Sequence, residues 1–248
     1  MKQQHEVILF FIPARGGSKG IPGKNLKEIE GVPLLGRAIS TCSAAAEKLQ
    51  TSSRIVVSTD DEAIATVASS FGAQVHCRPT ALSRDTSTTE EALVHYLGEE
   101  KQAKDHIPGY PPSSKVAMLQ CTSPFTRPEE LLNGINLLGE GFDSAFIGVE
   151  NHYWLYQEID NHCLEPFGHH LDFRPSRQDV SPRFHETGAA YFFHVASFMK
   201  TKFRLGGRIG CVRTDFFGSI DIDEEEDLQI ARRIWPLFSR PESPERLA

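Results

Sequence analysis

Arg15, Lys19 and Lys24 fall within one glycine-rich stretch, Ile12–Leu26 (I-P-A-R-G-G-S-K-G-I-P-G-K-N-L). Glycines let backbone N–H groups approach an anion closely, and the cations neutralise it. Such a loop suits a polyphosphate, most simply the triphosphate of a nucleotide. The competing reading is an ordinary βα turn with surface cations. Asp221 and Asp223, near the other end of the chain, form a second pair of candidates. On a strand, residues two apart face the same way. Two carboxylates on one face are costly unless a cation binds them, and Mg²⁺ (or Mn²⁺) prefers such hard oxygen ligands. The competing reading there has Asp223 capping the last helix, with Glu226 completing a capping box.

The loop is neither a Walker A sequence nor G-x-G-x-x-G, because its glycines are differently spaced. It lies in a chain of 248 residues with a formal net charge of −7. A cationic loop in an acidic chain is a local anion site, so no nucleic-acid partner is expected. The five cysteines are Cys42, Cys77, Cys121, Cys163 and Cys211; they are scattered and form no C-x-x-C pair. A disulfide framework or zinc site is not expected, and a reducing cytoplasm fits. The first apolar run, Val7–Phe11, is far shorter than the roughly 20 residues of a membrane span, and no small-residue cleavage site follows it. The expectation is a cytoplasmic protein without a membrane partner.

The elements that must position these residues alternate between strand and helix. Strands are predicted at Val7–Ile12, Arg54–Ser58, Ala73–His76, Val116–Gln120, Ser144–Val149, Ala189–His194 and Ser219–Asp223. Helices are predicted at Leu34–Leu49, Asp61–Phe71 with Asp60 as N-cap, Thr88–Glu100, Pro128–Leu138 and Glu224–Leu237. This rhythm predicts an α/β fold: a doubly wound, mostly parallel nucleotide-binding sheet with helices on both faces. Ligands on such sheets bind at the carboxyl ends of the strands, where the loop after the first strand lies. A single domain over residues 1–238 is expected. The rhythm breaks between about 151 and 185, a stretch rich in His, Pro, Arg and aromatic residues. That stretch reads as an inserted arm for dimerisation or substrate. The proline-rich, charged tail 239–248 is expected to fray.

The loop resembles the signature of the acylneuraminate cytidylyltransferases, the CMP–sialic acid synthetases and their relatives. Arg15, Ser18, Lys19, Gly20, Pro22, Lys24 and Asn25 match its pattern, close to A-R-x-x-S-K-G-[IL]-P-x-K-N-[IL]. Further blocks of that family recur in order: Val56–Asp60, Arg78-Pro79 with Leu82–Ser87, Leu119–Pro124, Arg177-Gln178, Gly188–Tyr191 and Ser219–Asp223 with Glu226–Leu228. The resemblance spans roughly residues 7 to 235. It implies transfer of CMP from CTP to the anomeric hydroxyl of a nonulosonic (sialic, legionaminic or pseudaminic-type) acid, with release of pyrophosphate. Arg15, Lys19 and Lys24 would then hold the triphosphate as catalytic cations. Ala14, Arg15, the backbone of Gly16, Gly17 and Ser18, and Asn25, Arg78 and Thr89 would bind the nucleotide. Thr89 stands in for a serine there. Gln120, Arg177, Gln178 and His185 would face the sugar, and Asp221 and Asp223 the metal. A homodimer is implied, with Asn151–Arg183 reaching toward the partner protomer.

This chain departs from the family pattern at three places. Cys121 replaces a proline after Gln120, Thr187 replaces an asparagine before Gly188, and His185 falls where the sialic-acid enzymes often carry a second arginine. Arg183 lies two residues before it. These departures leave the particular sugar open. One alternative is CMP-activation of 3-deoxy-manno-octulosonate, whose enzymes usually read S-T-R-L-P-G-K-P-L in this loop. The other is a catalytically silent nucleotide-binding protein on the same fold.

Overall fold

Strand β1 (Val7–Pro13) lies inside a seven-stranded sheet and is apolar on both faces, because helices cover both. Ile8, Phe10 and Ile12 enter one core, while Leu9 and Phe11 enter the other. A computed structural model describes residues 6–102, 110–111, 113–173 and 175–239. After β1 come the short strands β2 (Glu28–Ile29) and β3 (Val32–Pro33), α1 (Leu34–Glu47), β4 (Ser52–Thr59), α2 (Glu62–Ser70) and β5 (Gln74–Cys77). The chain continues through α3 (Thr89–Gln102), β6 (Lys115–Leu119), α4 (Pro128–Gly139) and β7 (Ser144–Asn151). Hairpin strands β8 (Leu155–Asp160) and β9 (Cys163–Phe167) follow, then β10 (Arg183–His194), α5 (Val195–Thr201), β11 (Ile209–Thr214) and α6 (Glu225–Phe238).

The sheet runs in the order β11-β7-β10-β6-β1-β4-β5. Its pairs are parallel except at β10, which is antiparallel to both β6 and β7. Residues of α1, α2, α4 and α6 pack into one core, and residues of α3 and α5 into the other. The architecture is therefore the mostly parallel, doubly covered sheet that the alternating pattern predicts. No helix among the described residues is long and apolar enough to cross a membrane. Residues 240–248 of the expected fraying tail lie outside the described residues.

Several local expectations are corrected. Ser219–Asp223 is not a strand: a one-turn helix (Phe217–Ser219) leads into an extended segment. That segment is tied to the fold by Ile222 N–H donating to the Thr122 carbonyl at 2.8 Å. The cap of α6 is Glu224 with Asp227, not Asp223 with Glu226; Asp227 Oδ2 accepts from the Asp223 and Glu224 amides at 3.0 and 2.8 Å. The cap of α2 is Asp61, whose Oδ1 accepts from Ile64 N at 2.9 Å, rather than Asp60. Strand β11 and helix α5 have no counterpart in the predicted elements, and β10 begins at Arg183, six residues earlier than predicted.

Gly134 on α4 lies directly over the fully buried Phe192 ring of β10; a Cβ there would stand 2.3 Å from Phe192 Cε2. Alanine for glycine in a helix normally gains about 1 kcal/mol. Here overpacking should outweigh it, by about 1–3 kcal/mol. Gly134→Ala should therefore lower the midpoint of thermal unfolding. An unchanged or raised midpoint would show that the ring can yield.

Candidate nucleotide-binding cleft

Strand β1 delivers the cationic loop to the carboxyl edge of the sheet. The Ala14 amide donates to the Ser58 carbonyl at 2.9 Å, continuing the β1–β4 ladder. Ala14 is itself fully buried, so its amide braces the loop. The buried Asn25 side chain donates from Nδ2 to the Arg15 carbonyl at 3.0 Å, pinning the loop's other limb. The Gly16 amide donates to Asp60 Oδ1 at 3.1 Å. Of the backbone expected to cradle an anion, the Gly16 amide is thus already engaged. Gly23, at φ 66, opens the one-turn helix Lys24–Leu26 in the left-handed region that glycine tolerates.

Lys24 closes the site across the fold. Its Nζ donates to the Ile222 carbonyl at 2.8 Å and pairs with Asp223 Oδ1 at 3.1 Å. Gly20 makes this approach possible, since a Cβ there would stand 2.2 Å from the Asp223 carbonyl oxygen. Asp221 accepts from Ser123 Oγ at 3.2 Å. Burial pushes its carboxyl above the ordinary value and the Asp223 charge adds to this, while hydrogen bonds from Thr122 and Ser123 and the Lys24 charge oppose it. With the strand gone, a shared strand face no longer aligns the two carboxylates; what links them is that the Asp223 charge acts on Asp221 and that Lys24 acts on both. Among the described residues no cluster of three or more His, Cys, Asp or Glu side chains could hold a metal. The remaining ligands would come from water and substrate, which is how Mg²⁺ is usually bound.

Two cavities meet at this edge. One, of about 390 Å³, is lined by Ser18, Lys19, Lys24, Asn25 and Asp223 among others. The second, of about 250 Å³, is lined by Arg78, Asp85, Thr88 and Thr89 among others. Pro13, Arg15 and Gln120 line both, so they form the two ends of one cleft. Arg78 is buried at the second end. Its Nη2 donates to the Ser58 carbonyl at 3.3 Å, but its buried Nε has no partner. Desolvation lowers its pKa, Asp60 opposes this, and the Arg15 charge adds to it. An acceptor atom on a ligand would satisfy the orphaned Nε. Helix α3 points its positive end into the same cavity, with Thr88 and Glu91 forming a reciprocal cap.

The structure thus brings together Arg15, Ser18, Lys19, Lys24, Asn25, Arg78, Thr89, Gln120 and Asp223. Asp221 lies beside them, behind Ser123. Gln120, read as a sugar contact, stands at the junction of the two cavities. Gln178 and His185 line neither. Gln178 is exposed in the one-turn helix Arg177–Asp179, and His185 Nδ1 lies 3.2 Å from Asn151 Nδ2 on exposed β10. Arg177 opens that one-turn helix. Asp60, Asp85 and Glu224 also reach the site without having been singled out as its members. Asp60 reads in the sequence as a helix cap, and spacing says nothing of Asp85 facing Arg15.

Residues 9–152 match the family model described as Cytidylyltransferase. The chain is 32% identical over 236 residues to N-acylneuraminate cytidylyltransferase A of Danio rerio, an alignment covering 94% of this chain and 51% of that protein. It is 26% identical over 228 residues to the N-acylneuraminate cytidylyltransferase of Escherichia coli O18:K1:H7, covering 90% and 51% respectively. The chain spans about half the length of the curated relatives it matches. Its fold is similar to a solved CMP:2-keto-3-deoxy-manno-octonic acid synthetase complexed with CTP, with a TM-score of 0.64 at 15% identity over 94% of this chain and 99% of the other.

Gly20→Ala tests the close approach at the Lys24 side of the cleft. The added methyl should cost roughly 1–3 kcal/mol of local displacement and lower the midpoint of thermal unfolding, with the far-UV circular dichroism unchanged. An unchanged midpoint would show that the two limbs can part without consequence.

Proposed function

This chain belongs to the cytidylyltransferase family, and on that premise we propose that it transfers CMP from CTP to the anomeric hydroxyl of a nonulosonic acid and releases pyrophosphate. The observation that carries this reading is the single cleft with a cationic end at Arg15, Lys19 and Lys24 and a buried, donor-rich end at Arg78 and Thr89. A triphosphate fits the first chemistry and a pyrimidine base with several acceptors fits the second.

In this reading Arg15, Lys19 and Lys24 neutralise the triphosphate and the charge that develops as the bond to the α-phosphate exchanges. Asn25 and the Ala14 amide act indirectly, by fixing the course of the loop. Arg78 and Thr89 orient the base, and Gln120, at the junction, faces the α-phosphate and the incoming hydroxyl. Asp221 and Asp223 would hold Mg²⁺ or Mn²⁺, which when bound supplies charge neutralisation on the phosphates. Arg177, Gln178 and His185 belong to the acceptor side, where an arginine fork suits a sugar carboxylate. In-line attack requires the acceptor hydroxyl and the α-phosphate to be held together, which is the main contribution of such a cleft.

The arm supports a homodimer. Leu155, Ile159, Leu164 and Phe167 of the β8–β9 ribbon are each at least half exposed. A two-stranded ribbon is marginal alone in water, and this one exposes apolar side chains on both faces, the paired Leu155 and Phe167 on one and Leu164 on the other, surface that a partner would cover. The cytoplasm is the compartment proposed, since CTP is found there.

The decisive assay is pyrophosphate release from CTP with Mg²⁺ across a panel of eight- and nine-carbon keto acid sugars. Turnover with a nine-carbon acid is expected. Turnover with the eight-carbon acid alone would replace the acceptor class, and none with any sugar would favour a silent nucleotide-binding protein. Asp221→Asn should lower the rate by about a hundredfold or more, with an unchanged melting profile, and chelation should do the same reversibly. Light scattering should give a dimer that Ile159→Asp with Phe167→Asp converts to monomer; a dimer in both would move the interface off the arm.

A further inference from the structure

The two leading cations of the loop already hold an anion supplied by the chain. Asp85 Oδ1 lies 3.3 Å from Arg15 Nη1, and Asp85 Oδ2 lies 3.0 Å from Lys19 Nζ. Arg15 Nη1 also donates to the Arg84 carbonyl at 2.9 Å. Residues 84 and 85 therefore present three acceptor oxygens to the cationic end of the cleft. A carboxylate that bridges two cations through its two oxygens imitates a bound phosphate.

Two features make this contact exchangeable. The Asp85 and Lys19 side chains are 53% and 73% exposed, so each ion pair shifts an equilibrium by only a small factor. The segment runs between the one-turn helix Thr80–Leu82 and α3. Within it the Ser87 amide donates to the Arg84 carbonyl at 3.0 Å and Ser87 Oγ to the Ala81 carbonyl at 3.4 Å. Phosphate oxygens that take the same Nη1 and Nζ would bring two anions into contact. The carboxylate and the polyphosphate therefore compete for the two cations.

We propose that Asp85 is a positioning residue: it occupies the phosphate cradle between turnovers, is displaced by the incoming polyphosphate, and returns as pyrophosphate leaves. This rests on the cytidylyltransferase reading of the same cleft. In the empty site Asp85 offsets the mutual repulsion of Arg15 and Lys19 and keeps both pointed at the cleft. In the product complex it opposes retention of pyrophosphate, so release is faster than the cations alone would allow.

The test is calorimetric titration of the full chain with pyrophosphate and with CTP, each with Mg²⁺, in the parent and in Asp85→Asn and Asp85→Ala. Asn keeps the size and removes the charge. Both ligands should bind about three- to tenfold tighter to both variants, and product inhibition by pyrophosphate should strengthen by the same factor. Equal or weaker binding in the variants would overturn the proposal, since a clamp that merely organises Arg15 and Lys19 predicts weaker binding. A parent that binds both ligands with no tightening in the variants removes only the role of Asp85. A parent that binds neither removes the nucleotide reading as well.

Discussion

The Lys24 ammonium joins two parts of the chain 199 positions apart, and the geometry of the cleft depends on that bridge. It donates to a carbonyl at position 222 and pairs with a carboxylate at position 223, neither of which belongs to a strand. The segment that carries them is also held by the buried Ile222 side chain, the Ile222–Thr122 backbone bond, the Ser123–Asp221 bond and the cap of α6. Lys24 is largely buried but Asp223 is exposed, so the bond to the Ile222 carbonyl is the better shielded half of the bridge. Gly20 is the steric counterpart of this bridge. Without a bare Cα at that position the loop could not lie against the Asp223 carbonyl, and Lys24 could not reach across.

From this bridge the remaining parts follow in order of rigidity. The sheet fixes β1 and β4, and through the Ala14–Ser58 bond it fixes the root of the loop. The Ser58 carbonyl also takes Arg78 Nη2, so the cationic end and the Arg78 end of the cleft hang from one residue of the sheet. Asp60 repeats this arrangement one step further out, with its carboxylate on the Gly16 amide and its charge acting on Arg78. A cleft whose two ends share anchors can keep the distance between those ends fixed without moving parts. The segment that carries Asp85 is the exception, being held to the loop mainly by exposed ion pairs.

Much of this was legible in the sequence, for identifiable reasons. The loop could be read because glycines and cations in one short stretch after an apolar run admit few other uses. The sheet could be read because β1, β4, β6 and β7 are apolar runs separated by helical periods. The misreadings have physical causes. Ser-Ile-Asp-Ile-Asp alternates like a strand, yet no neighbouring strand lies beside it to supply a ladder, and alternation alone does not make one. Asp60-Asp61 offers two caps in succession, and only packing shows that the second caps α2 while the first braces Gly16. Strand β11 was missed because Ile209–Thr214 follows a glycine pair and is only half buried. Contacts such as Asp85 with Arg15 lie between loops far apart in sequence, and no periodicity encodes them.

The three departures from the family pattern do not carry equal weight once the packing is considered. Cys121 is buried in the core near Cys42, and burial pushes its thiol up to about 12, so it packs as a small neutral group. Thr187 is also buried; its Oγ1 donates to the Ile147 carbonyl at 2.9 Å and accepts from the Ala189 amide at 3.3 Å. It thereby satisfies the irregularity of β10 between Glu186 and Tyr191, where Gly188 turns at positive φ. An asparagine side chain has the donor and acceptor for the same two bonds, so this exchange is explained without reference to any ligand. His185 differs, being exposed on β10 and in register with Val149 at the root of the arm. Two of the three departures are therefore buried positions that packing accounts for. His185 is the one of the three that lies on an exposed surface, where a side chain can change without disturbing the core.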